Sequence, residues 1–115
     1  MAGNVVSILN RSEFRAEVLQ WADPVLVLFS GADGHSKKLD RTLPTLAGEF
    51  DGRAKFAMVD VTVADLLAAD HGVRPQNVPT MVLFLNGRAV QRWGNEQNPE
   101  VYRKALEQAF AHPKA

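Results

Sequence analysis

Apolar positions along this chain follow two rhythms. Two runs are continuous: Val25-Leu26-Val27-Leu28-Phe29 and Met81-Val82-Leu83-Phe84-Leu85. Unbroken runs of β-branched, leucine and aromatic residues describe strands covered on both faces. Val5 to Leu9 and Lys55 to Val61 read as two further strands. Elsewhere the spacing is helical. Phe14, Val18, Leu19 and Trp21 make one apolar side, after Asn10 and Glu13 at capping-box spacing. Leu39, Leu43, Leu46, Ala47 and Phe50 make another, for a helix from His35 to Phe50. Pro44 lies inside it and removes a backbone donor, which predicts a kink.

Turn and cap residues separate these segments. Asp23-Pro24 stops the first helix, because a residue before proline avoids the helical region. Ser30 to Gly34 is a loop, and Asp51-Gly52 closes the second helix. Thr62 and Asp65 have capping-box spacing and predict a third helix carrying Leu66, Leu67 and Ala69, closed by Gly72. Val73 to Val78 reads as loop. Asn86-Gly87 is a hairpin signal with Ala89 to Trp93 as the returning strand. Asn98-Pro99-Glu100 starts a last helix with Val101, Leu106 and Phe110 facing inward.

The resulting order, β-α-β-α-β-α-β-β-α, is that of an α/β fold. Alternation makes the early strands parallel, and the final hairpin adds an antiparallel pair, giving a central mixed sheet flanked by helices. One domain over residues 1–115 is expected, with a frayed tail at 111–115.

Composition narrows the chemistry. Thirteen basic and thirteen acidic side chains balance, so neither nucleic acid nor an anionic membrane is an expected partner. The adjacent Lys37 and Lys38 read as a solvated helix face. There is no cysteine, which removes disulfides, thiolate nucleophiles and cysteine-based zinc sites. His35, His71 and His112 are far apart and lack ligand spacing, so no metal or cofactor is expected. The longest apolar run has five residues against the roughly 20 that span a bilayer. With no leader-like N-terminus, the expected location is cytoplasmic.

Several segments together resemble one family. Asp33-Gly34-His35-Ser36-Lys37-Lys38-Leu39 resembles the Cys-Gly-His-Cys-Lys-Lys-Leu site of protein disulfide isomerase domains, and Leu46-Ala47 and Glu49-Phe50 continue the similarity. His71-Gly72-Val73 is similar to the family's Tyr-Gly-Ile/Val element. Asn77-Val78-Pro79-Thr80 resembles its Ile/Val-Pro-Thr loop, and Met81 to Gly87 its Leu-Leu-Leu-Phe-Lys-Asn-Gly hairpin. Gly94 stands where a family glycine does. The resemblance is to the thioredoxin fold and spans nearly the whole chain. It implies a cis proline at Pro79 and a peptide-binding groove between Ala32-Asp33-Gly34-His35-Ser36, Val78-Pro79 and Trp93-Gly94.

The departures bear on function. Asp33 and Ser36 occupy the two cysteine positions, Ala32 the preceding tryptophan, and Val27 or Leu28 the buried acid. Thiol exchange needs an activated thiolate and a resolving thiol. Neither is present, and the losses extend beyond the cysteines. The helix proline of the family falls at Arg41, with Pro44 one turn later, and Pro75-Gln76 lengthens the loop before Val78.

Each candidate has a plainer reading beside the functional one. Asp33 is a good N-cap and suits the helix dipole; it could also meet a partner's charge. Asp33, His35 and Ser36 hold the residue types of a hydrolytic triad, but lie too close in sequence to line up. His35 is expected to face solvent, His71 to end the third helix as a cation suiting its dipole, and Trp21 and Trp93 to pack, Trp93 with partial exposure. Val78-Pro79 serves either architecture or peptide pairing. The expected function is therefore non-catalytic: a binding, assembly or chaperone-like domain for a protein or extended peptide, of undetermined oligomeric state. A permanent structural subunit is the alternative. A glutathione-dependent enzyme using Ser36 is a third reading, though the resemblance implies that such enzymes add a helical domain, and a single domain is expected here.

Overall fold

The computed structural model describes residues 3–111. Its strands are β1 (Val6–Ile8), β2 (Val25–Ser30), β3 (Lys55–Asp60), β4 (Thr80–Leu85) and β5 (Arg88–Trp93). Its helices are α1 (Arg11–Phe14, continued by a π-helical turn Arg15–Leu19), α2 (Gly34–Glu49), α3 (Asp65–Asp70) and α4 (Pro99–Ala111), with a 3₁₀ turn at Pro75–Asn77. The sheet runs β1-β3-β2-β4-β5. β1 and β2 flank β3 in parallel, while β4 is antiparallel to both β2 and β5. This is the expected α/β order with a mixed sheet.

The continuous runs are explained by helices on both faces. In β2, Val25, Val27 and Phe29 enter one core with Phe14, Val18, Val59, Leu67, Val82 and Phe84. Leu26 and Leu28 enter the other with Leu39, Leu43, Leu46, Met81, Leu83, Tyr102 and Leu106. Period-two side chains thus serve two layers, and every residue of β2 is buried. Burying each large apolar side chain contributes roughly 1.5–3 kcal/mol.

Local signals behave as their chemistry demands. Asn10 caps α1 by accepting from the Glu13 N–H at 2.9 Å, while the Glu13 carboxylate accepts from Leu9 N–H at 2.8 Å. α2 runs unbroken through Pro44, whose carbonyl accepts from Gly3 N–H at 2.9 Å. Asn86 (φ 52°) and Gly87 (φ 79°) form the hairpin turn in left-handed conformations. A Cβ at Gly87 would lie 2.4 Å from the Leu19 carbonyl oxygen, so only glycine fits.

Five expectations are corrected. The third helix begins at Asp65, not Thr62: Thr62 instead donates its N–H (2.9 Å) and hydroxyl (2.7 Å) to the Asp60 carboxylate. Such local Asx bonding competes with helix initiation. Trp21 is not a core residue; it is 42% exposed, with the Lys55 ammonium 3.6 Å from its ring centre. Lys55 also pairs with Glu17. Leu19 is partly exposed as well. The deepest residues of α4 are Tyr102 and Leu106, with Val101 and Phe110 half-buried. Finally, His71 sits among Phe14, Phe29 and Phe84, at ring distances of 4.5, 5.7 and 6.0 Å. His71 does end α3, as its C-cap, but burial holds its pKa below the ordinary value, against a smaller opposing effect of Asp70, which disfavours the expected cation.

The expected fraying at 111–115 and His112 fall on a tail of which residues 112–115 lie outside the described residues. Among the described residues, no helix is long and apolar enough to cross a membrane.

Candidate functional site

The parallel strands β1, β3 and β2 all finish at one end of the sheet, where antiparallel β4 begins and β5 finishes. Ala32 to Ser36 follow β2, Val78-Pro79 precede β4, and Trp93-Gly94 end β5. The topology therefore brings all the candidate residues to the same end.

Asp33 caps α2 in an extended conformation, accepting from Ser36 N–H at 3.1 Å. The Ser36 hydroxyl donates to the other oxygen of Asp33 at 2.6 Å, and accepts from Gly31 N–H at 2.9 Å. Ser36 is fully buried. The hydroxyl bond, more than any other contact, keeps the Asp33 carboxyl below its usual range. The two side chains thus close a short ring by hydrogen bonding. With its proton given to Asp33, the Ser36 hydroxyl has none to offer a ligand thiolate unless that bond breaks.

His35 points elsewhere. Its ring is mostly exposed, and Nδ1 lies 2.8 Å from Glu96 Oε1. Lys38 Nζ approaches the other Glu96 oxygen at 3.2 Å. Glu96 is held below the ordinary carboxyl range by His35 first and Lys38 second. It fastens the loop after β5 to the first turn of α2. No hydrogen bond joins His35 to Ser36, so the three residue types do not form a triad.

The Val78-Pro79 bond is cis. Val78 is half-buried, and its Cγ2 would lie 2.5 Å from a Cβ placed on Gly31. The glycine lets this loop pack directly on the end of β2. Among the described residues no hydrogen bond is made to the Val78 carbonyl. The added Pro75-Gln76 turn is exposed and tied by Asn77, which accepts from Arg74 N–H at 2.6 Å and donates to the Gly72 carbonyl at 3.1 Å.

The candidate residues divide by exposure. Ala32, Gly34, His35 and Gly94 are exposed, Asp33 and Val78 are intermediate, and Ser36, Pro79 and Trp93 are buried. Trp93 was expected to be partly open. Its indole instead packs edge-on against Tyr102, with ring centres 5.2 Å apart, and supports the surface from beneath. Sequence reading missed Gly31 and Glu96. Glu96 lies 61 residues from His35, and no local pattern connects them. The acid expected in the family's central strand is absent, since Val27 and Leu28 are both fully buried hydrocarbons. Ser30 at the end of that strand donates to Asp40 on α2 at 2.6 Å. Among the described residues no cluster of three metal-ligating side chains occurs.

Comparison with known proteins agrees with this architecture. The Thioredoxin family matches residues 5–108. One similar solved chain comes from work on the structural basis of thiol resolving in yeast mitochondrial 1-Cys peroxiredoxin via glutathione/thioredoxin systems. It superposes with a TM-score of 0.78 and 22% identity, over 91% of this chain and 95% of that one. At that identity the likeness concerns the fold. The matched span includes every strand and all but the last three residues of α4, and on it we conclude that the chain belongs to the thioredoxin family.

Proposed function

We propose that this chain is a redox-inactive thioredoxin-family domain. It binds a protein or extended peptide through the surface that in its relatives surrounds the reacting thiols. One observation carries the reading. The Asp33–Ser36 pair is engaged internally, while Ala32, Gly34, His35 and Gly94 around it remain open to solvent. Thiol chemistry is lost and an accessible surface is kept. Without a covalent step, a partner binds reversibly, and an extended segment beside Val78 could pair with its free carbonyl.

Two substitutions test this without disturbing the fold. Ala32 is exposed, and a Cβ at Gly94 meets no atom within 4 Å. Ala32→Arg and Gly94→Arg should therefore fold normally and block the surface. The tagged protein is isolated from its own source in gentle salt, and co-purifying proteins are identified by mass spectrometry. A partner lost in both variants, at unchanged melting temperature, supports the proposal. A partner retained by both docks elsewhere and favours a permanent structural subunit. A titration with glutathione that releases no heat would dispose of the enzyme reading.

A further inference from the structure

A second surface lies at the same end of the sheet, beyond β3. The turn after β1 and the loop leading into α3 form an open groove of about 420 Å³, lined by Leu9, Arg11, Val63, Asp65 and Leu66 among others. That is within the roughly 300–1,000 Å³ of ordinary ligand sites. Leu9, Val63 and Leu66 are 56%, 63% and 65% exposed. Six large apolar side chains are notably exposed on the described surface, and three of them meet at this one groove. Isolated exposed hydrophobics need no explanation, but a cluster around a concavity does.

The charges at the rim specify what it fits. Arg11 is the cation of the lining, and Asp70 already holds it through two hydrogen bonds of 2.5 and 2.8 Å. Asp65 in the lining, Asp60 before the loop and Glu13 beside Leu9 have no ion-pair partner among the described residues. Asp60 is occupied only by Thr62, and Glu13 only by the Leu9 N–H. With Arg11 neutralised by Asp70, the unpaired Asp65 of the lining, and Glu13 and Asp60 bonded to Leu9 and Thr62 beside it, leave an excess of negative charge next to the apolar groove.

We infer that this groove docks a basic amphipathic segment of a partner protein, with aliphatic or aromatic anchors entering between Leu9, Val63 and Leu66 and lysine or arginine facing Asp65 and its neighbouring carboxylates. The inference rests on the partner-binding reading above and names the partner's chemistry. It also places the anchor two strands from the Asp33–Ser36 pair. Hydrophobic contact supplies affinity, and the carboxylates supply selection and encounter rate.

The test uses three labelled peptides of about four helical turns with leucines at i, i+3, i+4 and i+7. Their remaining positions are all lysine, all glutamine or all glutamate. Binding is read by fluorescence anisotropy and by amide shifts of the ¹⁵N-labelled protein. The lysine peptide should bind at least about tenfold tighter than the glutamate peptide and weaken with salt. It should shift Leu9 to Ser12 and Val63 to Leu67. Leu66→Ser should weaken it at least about tenfold, and Asp65→Lys should weaken the lysine peptide and narrow its advantage over the glutamate peptide; both sites are exposed, so folding is spared. Equal binding of the three peptides, or none, overturns the inference. Shifts confined to Ala32–Ser36 and Val78 overturn it while leaving the proposed function standing. Groove shifts that appear on concentrating the protein alone identify a second copy as the occupant and overturn it too.

Discussion

Replacing Asp33 by alanine tests whether the former cysteine positions now form a structural lock. The substitution removes the α2 cap, a change that costs roughly 0.5–2 kcal/mol. It also removes the carboxylate that accepts the Ser36 hydroxyl at 2.6 Å. A hydrogen bond to a charged group contributes roughly 1.5–3 kcal/mol, and Asp33 keeps part of its surface in water, so the low end applies. The two effects share one carboxylate and do not add fully. About 2 kcal/mol is expected, or a melting temperature lower by on the order of 10 °C for a domain of this size. Asp33→Asn keeps the cap and an acceptor, and should lose only about half as much. Urea unfolding at neutral pH measures both variants. A cycle with Ser36→Ala isolates the pair, with a coupling of about 1 kcal/mol or more. The sign with pH is fixed. The folded-state pKa of Asp33 is lowered, so its contribution is present above the ordinary carboxyl value and is lost as pH falls through the lowered one. Wild type and Asp33→Asn should therefore converge in acid. An Asp33→Ala protein melting within about 2 °C of wild type, or a coupling near zero, would refute the lock.

Three further outcomes are expected. The double variant Asp33→Cys/Ser36→Cys should form an intramolecular disulfide on mild oxidation, seen by mass and thiol titration, yet reduce insulin poorly, because Val27 and Leu28 supply no acid; obligate intermolecular dimers would misplace the site. Below about pH 6.5 the unfolded chain protonates His71 more readily than the folded one does, since burial penalises the charged ring and Arg92 adds to the effect against Asp70. Stability should fall from that pH toward the lowered folded value, by up to about 1.4 kcal/mol per pH unit. His71→Gln should flatten this slope in urea titrations between neutrality and pH 5, above the window in which the lowered carboxyls of Asp33, Glu49, Asp70 and Glu96 are lost. Gly31→Ala should destabilise by about 1–3 kcal/mol through overpacking on Val78, and adding Val78→Ala should restore at least half of it. Failure of that rescue would show that the loop is not held by this contact.

The strands were readable because both faces of β2 and most of β4 are covered, and apolar residues at consecutive positions leave a strong signal. The α2 cap and the Asn86-Gly87 turn were readable because their chemistry is local. Thr62 misled because its capping spacing coincides with an Asx turn on Asp60. His71 and Trp21 misled because their surroundings come from β2, β3, β4 and α1, which the position in the chain does not disclose. The site was half legible. Asp33, Ser36 and Val78 were named from the resemblance, but the bond between the first two, the seating of Val78 on Gly31 and the bridge through Glu96 depend on tertiary packing. The groove at Leu9, Val63 and Leu66 was not foreseen, since each residue alone is an ordinary member of an apolar run.

The two tryptophans mark opposite ends of the sheet. Trp21 lies against Lys55, where β3 begins, and Trp93 lies opposite Met81, where β4 begins. One indole is open to water beside an ammonium group, and the other is sealed against Tyr102. The protein thus carries its own pair of optical reporters. Iodide, which reaches exposed indoles, will quench the red-shifted emission of Trp21 and spare the blue-shifted emission of Trp93. A partner seated on the candidate surface will be visible in the blue component alone, without any label.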